Sequence, residues 1–177
     1  MVRIVVPFRG LGAKTRLGLG PEFAQAMLAD VVAAAGAVGE VRIATGMGGQ
    51  GEGVAAELER LPHAPVLIVN ADLPCVTPRD LLALLGSAQP GGIALVEAAD
   101  GTTNALALSD AGQFADLYGP DSAARFRRHA HKIGAHCVTA TIPNIVDDVD
   151  TVEDLGRVES RLGRHTATAL TSLRDVA

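Results

Sequence analysis

Three aspartates and two basic residues have the types and spacing to do chemistry. Asp148 and Asp150 stand two apart in "NIVDDVDTVEDL", so an extended backbone turns both to one face while Asp147 points to the other. Two carboxylates held on one side repel unless a cation neutralises them. Hard oxygen ligands suit magnesium, which takes a few carboxylates together with substrate phosphate oxygens. Asp150 followed by Glu153 also has the spacing of a capping box for the next helix, an account that leaves Asp148 unexplained. Asp72 lies in "VLIVNADLP", just past an apolar run, and reads either as a turn residue before Pro74 or as a third metal ligand. The second reading is preferred, because ligands of open α/β sheets bind at that edge.

Lys14 and Arg16 follow the glycines of "VRIVVPFRGLGAKTRLG". This is not a Walker A loop, since Phe8 and Ala13 stand where its two glycines belong, and a dinucleotide fingerprint begins at Gly10 and Gly12 but fails at Thr15. A glycine-bearing turn with two cations at a strand end is either a phosphate-holding loop or an exposed basic loop. Two further places have groups that suit anions. In "DGTTNALAL", Thr102, Thr103 and Asn104 either bind a carboxylate or satisfy turn backbone. In "YGPDSAARFRRHAHK", Gly119 and Ser122 sit at a helix start, whose free N–H groups attract an anion. Arg125, Arg127, Arg128 and Lys132 behind them read as a solvated face. His129 and His131, two apart on a helix, point apart and do not share a zinc ion.

The elements that must position these groups alternate between strand and helix. Residues 2–7 read as a buried strand, Pro21 to about Ala37 as a helix, Val41–Thr45 as a strand, Val54–Leu61 as a short helix and the wholly apolar Val66–Val69 as a central parallel strand. Thr77, Pro78 and Asp80 mark a capped helix start. Ile93–Glu97 and Asn104–Leu108 follow as strands, Ser122–Gly134 as a helix, Cys137–Ala140 and Asn144–Val146 as short strands, and Val152–Leu162 as a last helix. The pattern predicts an α/β domain around a mostly parallel sheet, with antiparallel members in its second half.

Composition narrows the function. With 48% hydrophobic and 20% charged residues over 177 positions, the chain has the balance of a folded domain. A net charge of -5 and 3% aromatics disfavour nucleic acid as a partner. No apolar run is long enough for a membrane span and the first ten residues do not resemble a secretory signal, so a cytoplasmic protein is expected. Cys75 and Cys137 match no metal or redox spacing and read as packing residues.

Taken in order, "VPFRGLGAKTRL", "VNADLPCVTPRDL", "GTTNALAL", "YGPDSAARFRRHA" and "DDVDTVEDL" resemble the phospholactate/phosphoenolpyruvate guanylyltransferase family of coenzyme F-420 biosynthesis, over nearly the whole chain. The resemblance implies a nucleotide-diphospho-sugar transferase fold, a three-layer α/β/α sandwich, with one nucleotidyltransferase domain over residues 1–163 and a C-terminal tail over 164–177. It implies that Asp72, Asp148 and Asp150 hold Mg2+, Asp72 with a catalytic role. It places the phospho-acid at Thr103, Gly119 and Ser122, with Asn104 beside them, and the nucleotide at Pro7, Gly12, Lys14 and Arg16, the two cations neutralising the triphosphate. The implied partners are GTP and phosphoenolpyruvate or 2-phospho-L-lactate. Family members carry a longer segment, with a Gly-Leu-Asn stretch near the nucleobase, where this chain has only "MGGQGEGVAAELERLPHAP". The alternatives are a nucleotidyltransferase of the same fold with a sugar phosphate or molybdopterin acceptor, and a nucleotide-binding module without catalysis.

Overall fold

The computed structural model describes residues 2–8, 18–45, 49–60 and 63–176. Gly12, Lys14 and Arg16 lie outside the described residues. The chain alternates as the apolar periodicity requires: β1 (Arg3–Pro7), α1 (Pro21–Gly36), β2 (Glu40–Ala44), α2 (Gln50–Leu58), β3 (Val66–Val69), α3 (Pro78–Ser87), β4 (Ile93–Glu97), β5 (Thr103–Leu108), α4 (Ser122–Lys132), β6 (Cys137–Thr139), α5 (Pro143–Val146), α6 (Val152–Val158) and α7 (Arg164–Val176).

The strands form one sheet in the order β2-β1-β3-β5-β4-β6. β5 runs antiparallel to both β3 and β4, and the remaining pairs are parallel. β5 is thus the antiparallel member expected in the second half. Alternate residues of each strand face opposite layers. Ile4, Val6, Leu67 and Val69 pack with Val31 and Ala35 of α1 and Leu81 and Leu84 of α3. Val5, Val66, Ile68 and Leu106 pack with Val54 of α2 and Ala123 and Phe126 of α4. Burial on both faces is why "VLIV" is apolar throughout, and the result is the three-layer α/β/α sandwich.

Four local assignments differ from expectation. Asn144–Val146 is not a strand but most of α5, which Pro143 starts with its pre-set φ. The helix expected from Val54 begins at Gln50 and includes Gly51 and Gly53, normally poor helix formers. The Asp116 carboxylate occupies the place of a Cβ on Gly51, so a tertiary contact demands the glycine there. The capping box before α6 is Thr151 with Asp154, not Asp150 with Glu153. Finally, α7 is a full helix docked on α1: the buried Asp30 carboxylate accepts from His165 N at 2.9 Å and Thr166 N at 2.8 Å, capping its first turn. No described helix is long and apolar enough to cross a membrane.

Candidate active site

The carboxyl edge of the sheet carries a cleft of about 320 Å3 whose walls come from seven separate segments, one of them Ala24 and Met27 of α1. Pro7 and Phe8 end β1, Gln50 starts α2, and Asn70 to Asp72 leave β3. Asp100 and Thr102 to Asn104 enter β5, Tyr118, Gly119 and Ser122 lead into α4, and Asp148 and Asp150 precede α6.

The acids converge because one backbone link and one buried side chain bring distant segments together. Val149 N donates to Asp72 O at 3.0 Å, fastening the 147–150 segment to the end of β3. The Val149 side chain is fully buried among Phe23, Met27, Cys75, Leu155 and Val158. With Val149 turned into the core, the alternation of extended backbone turns its neighbours Asp148 and Asp150 to the cleft. Asp147 points elsewhere and pairs with Arg161 at 2.6 Å. One carboxylate oxygen from each of Asp72, Asp148 and Asp150 lies within 4.8 Å of the other two. Burial, and then the charges of Asp72 and Asp150, push the Asp148 carboxyl up to about 6, against the pull of its own backbone N–H and the Asn104 amide.

Asn104 is almost wholly buried, and its Nδ2 donates to Ile145 O at 2.8 Å and Val146 O at 3.1 Å and lies 3.5 Å from Asp148 Oδ1. Its amide nitrogen therefore fixes the chain that presents Asp148. Beside it, Asn70 Nδ2 donates to Thr103 O at 3.2 Å and Asn70 Oδ1 accepts from Gln50 Nε2 at 2.6 Å. These amides tie β3, β5 and the start of α2 together along the cleft floor. Asn70 and Gln50 were not foreseen from sequence; the only signal was an amide residue two positions before Asp72.

In the same cleft the buried hydroxyls of Ser122 and Thr103 meet at 3.1 Å, and Gly119 has φ of 109°, a conformation that L side chains rarely adopt. Asp100 Oδ1 accepts from Thr102 N at 2.9 Å and Thr102 Oγ1 at 2.6 Å, shaping the rim. Of the sequence candidates, Pro7, Asp72, Thr103, Asn104, Gly119, Ser122, Asp148 and Asp150 all line this one cleft. His129 Nε2 meets Gln113 O and His131 is exposed, in keeping with their exclusion as metal ligands. Cys75 is a buried packing residue whose thiol burial pushes up to about 11.

No family model matches the chain. A phosphoenolpyruvate guanylyltransferase of Rubrobacter xylanophilus is 34% identical over 173 residues, 92% of this chain and 80% of the relative. One of Nocardia farcinica is 41% identical over 113 residues, 63% of this chain and 47% of the relative. A 3-phospho-D-glycerate guanylyltransferase of Phenylobacterium zucineum is 32% identical over 125 residues, covering 70% and 57%. The chain thus spans about half the length of these last two relatives. Among solved structures, a Desulfovibrio desulfuricans protein assigned to the nucleotide-diphospho-sugar transferases superposes with a TM-score of 0.78 at 14% identity, over 98% of this chain and 97% of that one. A nucleotidyl transferase of Methanothermobacter gives 0.64 at 15% identity, over 90% and 96%. These two likenesses carry the fold, and the sequence relatives carry the kinship: the chain belongs to the phosphoenolpyruvate/3-phospho-D-glycerate guanylyltransferase family, built on the nucleotide-diphospho-sugar transferase fold.

Proposed function

We propose that the protein is a magnesium-dependent guanylyltransferase that moves GMP from GTP onto the phosphate of phosphoenolpyruvate or 2-phospho-L-lactate, releasing pyrophosphate, as a step towards coenzyme F-420. The observation that carries this reading is the shared cleft, which brings three crowded carboxylates together with buried hydroxyls and a glycine-bearing helix start. The family relatives, named for phosphoenolpyruvate and 3-phospho-D-glycerate, support a phospho-acid acceptor.

Three aspartates, one with its pKa raised by burial and then by the other two, fit a hard divalent cation bound through oxygen. Such an ion, if bound, would supply Lewis-acid chemistry, offsetting triphosphate charge at the α-phosphorus. Asp72, Asp148 and Asp150 would hold that ion beside the nucleotide's phosphates. Lys14 and Arg16, outside the described residues, are assigned to the triphosphate from their sequence setting. Thr103, Gly119 and Ser122 orient the acceptor so that a phosphate oxygen faces the α-phosphorus. The acceptor oxygen forms the new P–O bond as the bond from the α-phosphorus to the bridging β-oxygen breaks. A phosphate monoester has its second pKa at about 6, so the nucleophile is already largely dianionic and needs no general base. Positioning and charge neutralisation supply the acceleration.

The deciding experiment incubates the protein with GTP, magnesium and, separately, phosphoenolpyruvate, 2-phospho-L-lactate and 3-phospho-D-glycerate, with product identified by mass spectrometry. A GMP adduct of one of the first two with equimolar pyrophosphate supports the reading, and an adduct of the third alone would move the acceptor to that relative's substrate. No pyrophosphate from any pair would leave a nucleotide-binding module.

A further inference from the structure

Arg125, expected on a solvated face, is instead half-buried behind the loop that leads into α4. Its Nη2 donates to Tyr118 O at 2.9 Å and to Pro120 O at 2.8 Å. The loop between and after these carbonyls includes Gly119 at φ 109° and Asp121 at φ 55°, the one non-glycine residue with positive φ among the described residues. A Cβ on Gly119 would stand 3.1 Å from the same guanidinium nitrogen. One cation therefore clamps a backbone segment that strain would otherwise relax.

The charge of Arg125 is not spent on a carboxylate. Among the described residues no acid lies within ion-pair distance of it, and its buried Nε meets no acceptor. Arg127, two residues on, has Glu97 at 2.7 Å. A partly buried cation lacking a counter-ion favours an anion nearby. Peptide N–H and C=O groups point in opposite directions across a trans bond, and no described bond is cis. With Tyr118 O on Arg125, the Gly119 N–H points away from it. That N–H, like that of Asp121, has no acceptor among the described residues. Gly119 lines the cleft and Arg125 does not.

We propose that Arg125 is a positioning residue for the anionic acceptor: it holds the 118–121 loop so that the Gly119 N–H and the Ser122 hydroxyl meet the anion, and it supplies the counter-charge from behind. The inference rests on reading the cleft as a phospho-acid site. Arg125→Met keeps the apolar stem, and Arg125→Lys keeps the charge while engaging the two carbonyls less well.

Steady-state kinetics with GTP and phosphoenolpyruvate give the first test. The Met variant raises the KM for the acid by at least about tenfold and the Lys variant by about threefold, with the KM for GTP close to wild type and any fall in melting temperature small enough to leave both variants folded at the assay temperature. An unchanged KM for the acid in the Met variant, equal shifts in both KM values, or a Lys variant as impaired as the Met one would overturn the proposal. Amide NMR separates it from the reading beneath it, because it needs no turnover. Even if wild type transfers nothing, titrating inorganic phosphate moves the Gly119 and Asp121 amide resonances in wild type and leaves them still in the Met variant. Resonances that do not move in wild type, or move equally in both proteins, contradict the role.

Discussion

Asp30 and Asp148 are both carboxylates withdrawn from water, and their surroundings are opposite. Asp30 receives two backbone N–H donors from the start of α7, and Gly163 has no side chain because the Asp30 carboxylate fills that space. Asp148 is crowded by two more carboxylates, and its pKa is pushed up to about 6. The first arrangement answers the charge with protein donors and serves the fold. The second crowds like charges together, an arrangement that a bound cation would relieve.

The contrast makes substitutions at the two places diverge. The largest effect falls on transfer: Asp72→Ala lowers the GMP transfer rate by a hundredfold or more, about 3 kcal/mol, with a native circular dichroism spectrum. Near-normal turnover in that variant would remove Asp72 from the chemistry. Next, Asp30→Ala lowers unfolding free energy by about 2–3 kcal/mol in urea titrations, because two charge-assisted bonds to α7 are lost, while KM values at 25 °C stay put. A change in KM without a change in stability would reverse the assignment of Asp30.

Asp148→Asn sharpens the comparison by moving stability the other way. A carboxyl whose folded pKa lies above its unfolded value contributes stability below pH of about 4 that is lost as pH rises through about 6. Metal-free Asp148→Asn is therefore more stable than wild type by about 1–2 kcal/mol at pH 7.5, after discounting for solvent in the open cleft, and equal to it near pH 4. Thermal melts across that range read the difference, and magnesium narrows it by stabilising wild type alone. An Asn variant less stable than wild type at pH 7.5 would show that the triad carries no strain. The smallest effect belongs to the acceptor end: Ser122→Ala costs about 1 kcal/mol in acceptor binding through its lost hydroxyl, read as a rise in KM for the acid and none for GTP.

Sequence carried the parts that depend on local rules. "VLIV" reads as a central strand because both of its faces are buried, and Thr77 with Asp80 reads as a helix start because both reciprocal bonds span three residues. The shared face of Asp148 and Asp150 followed from alternation, with Val149 pointing into the core between them. What escaped depends on partners far along the chain. Asp150 and Thr151 both have an acid three residues later, and the box that formed is the one a threonine hydroxyl could cap, which leaves Asp150 for the cleft. The glycines of α2 read as loop until Asp116 is seen against Gly51, and the duty of Asn104 to the carbonyls of α5 spans some forty residues.

The central claim is that Asp72, Asp148 and Asp150 together hold one divalent cation for the nucleotide. Calorimetric titration of magnesium into the GTP-bound wild type and into Asp72→Asn, Asp148→Asn and Asp150→Asn tests it most directly. The account expects one protein-dependent site in wild type and an affinity at least about tenfold weaker in each variant. Equal affinity in all four proteins would contradict it.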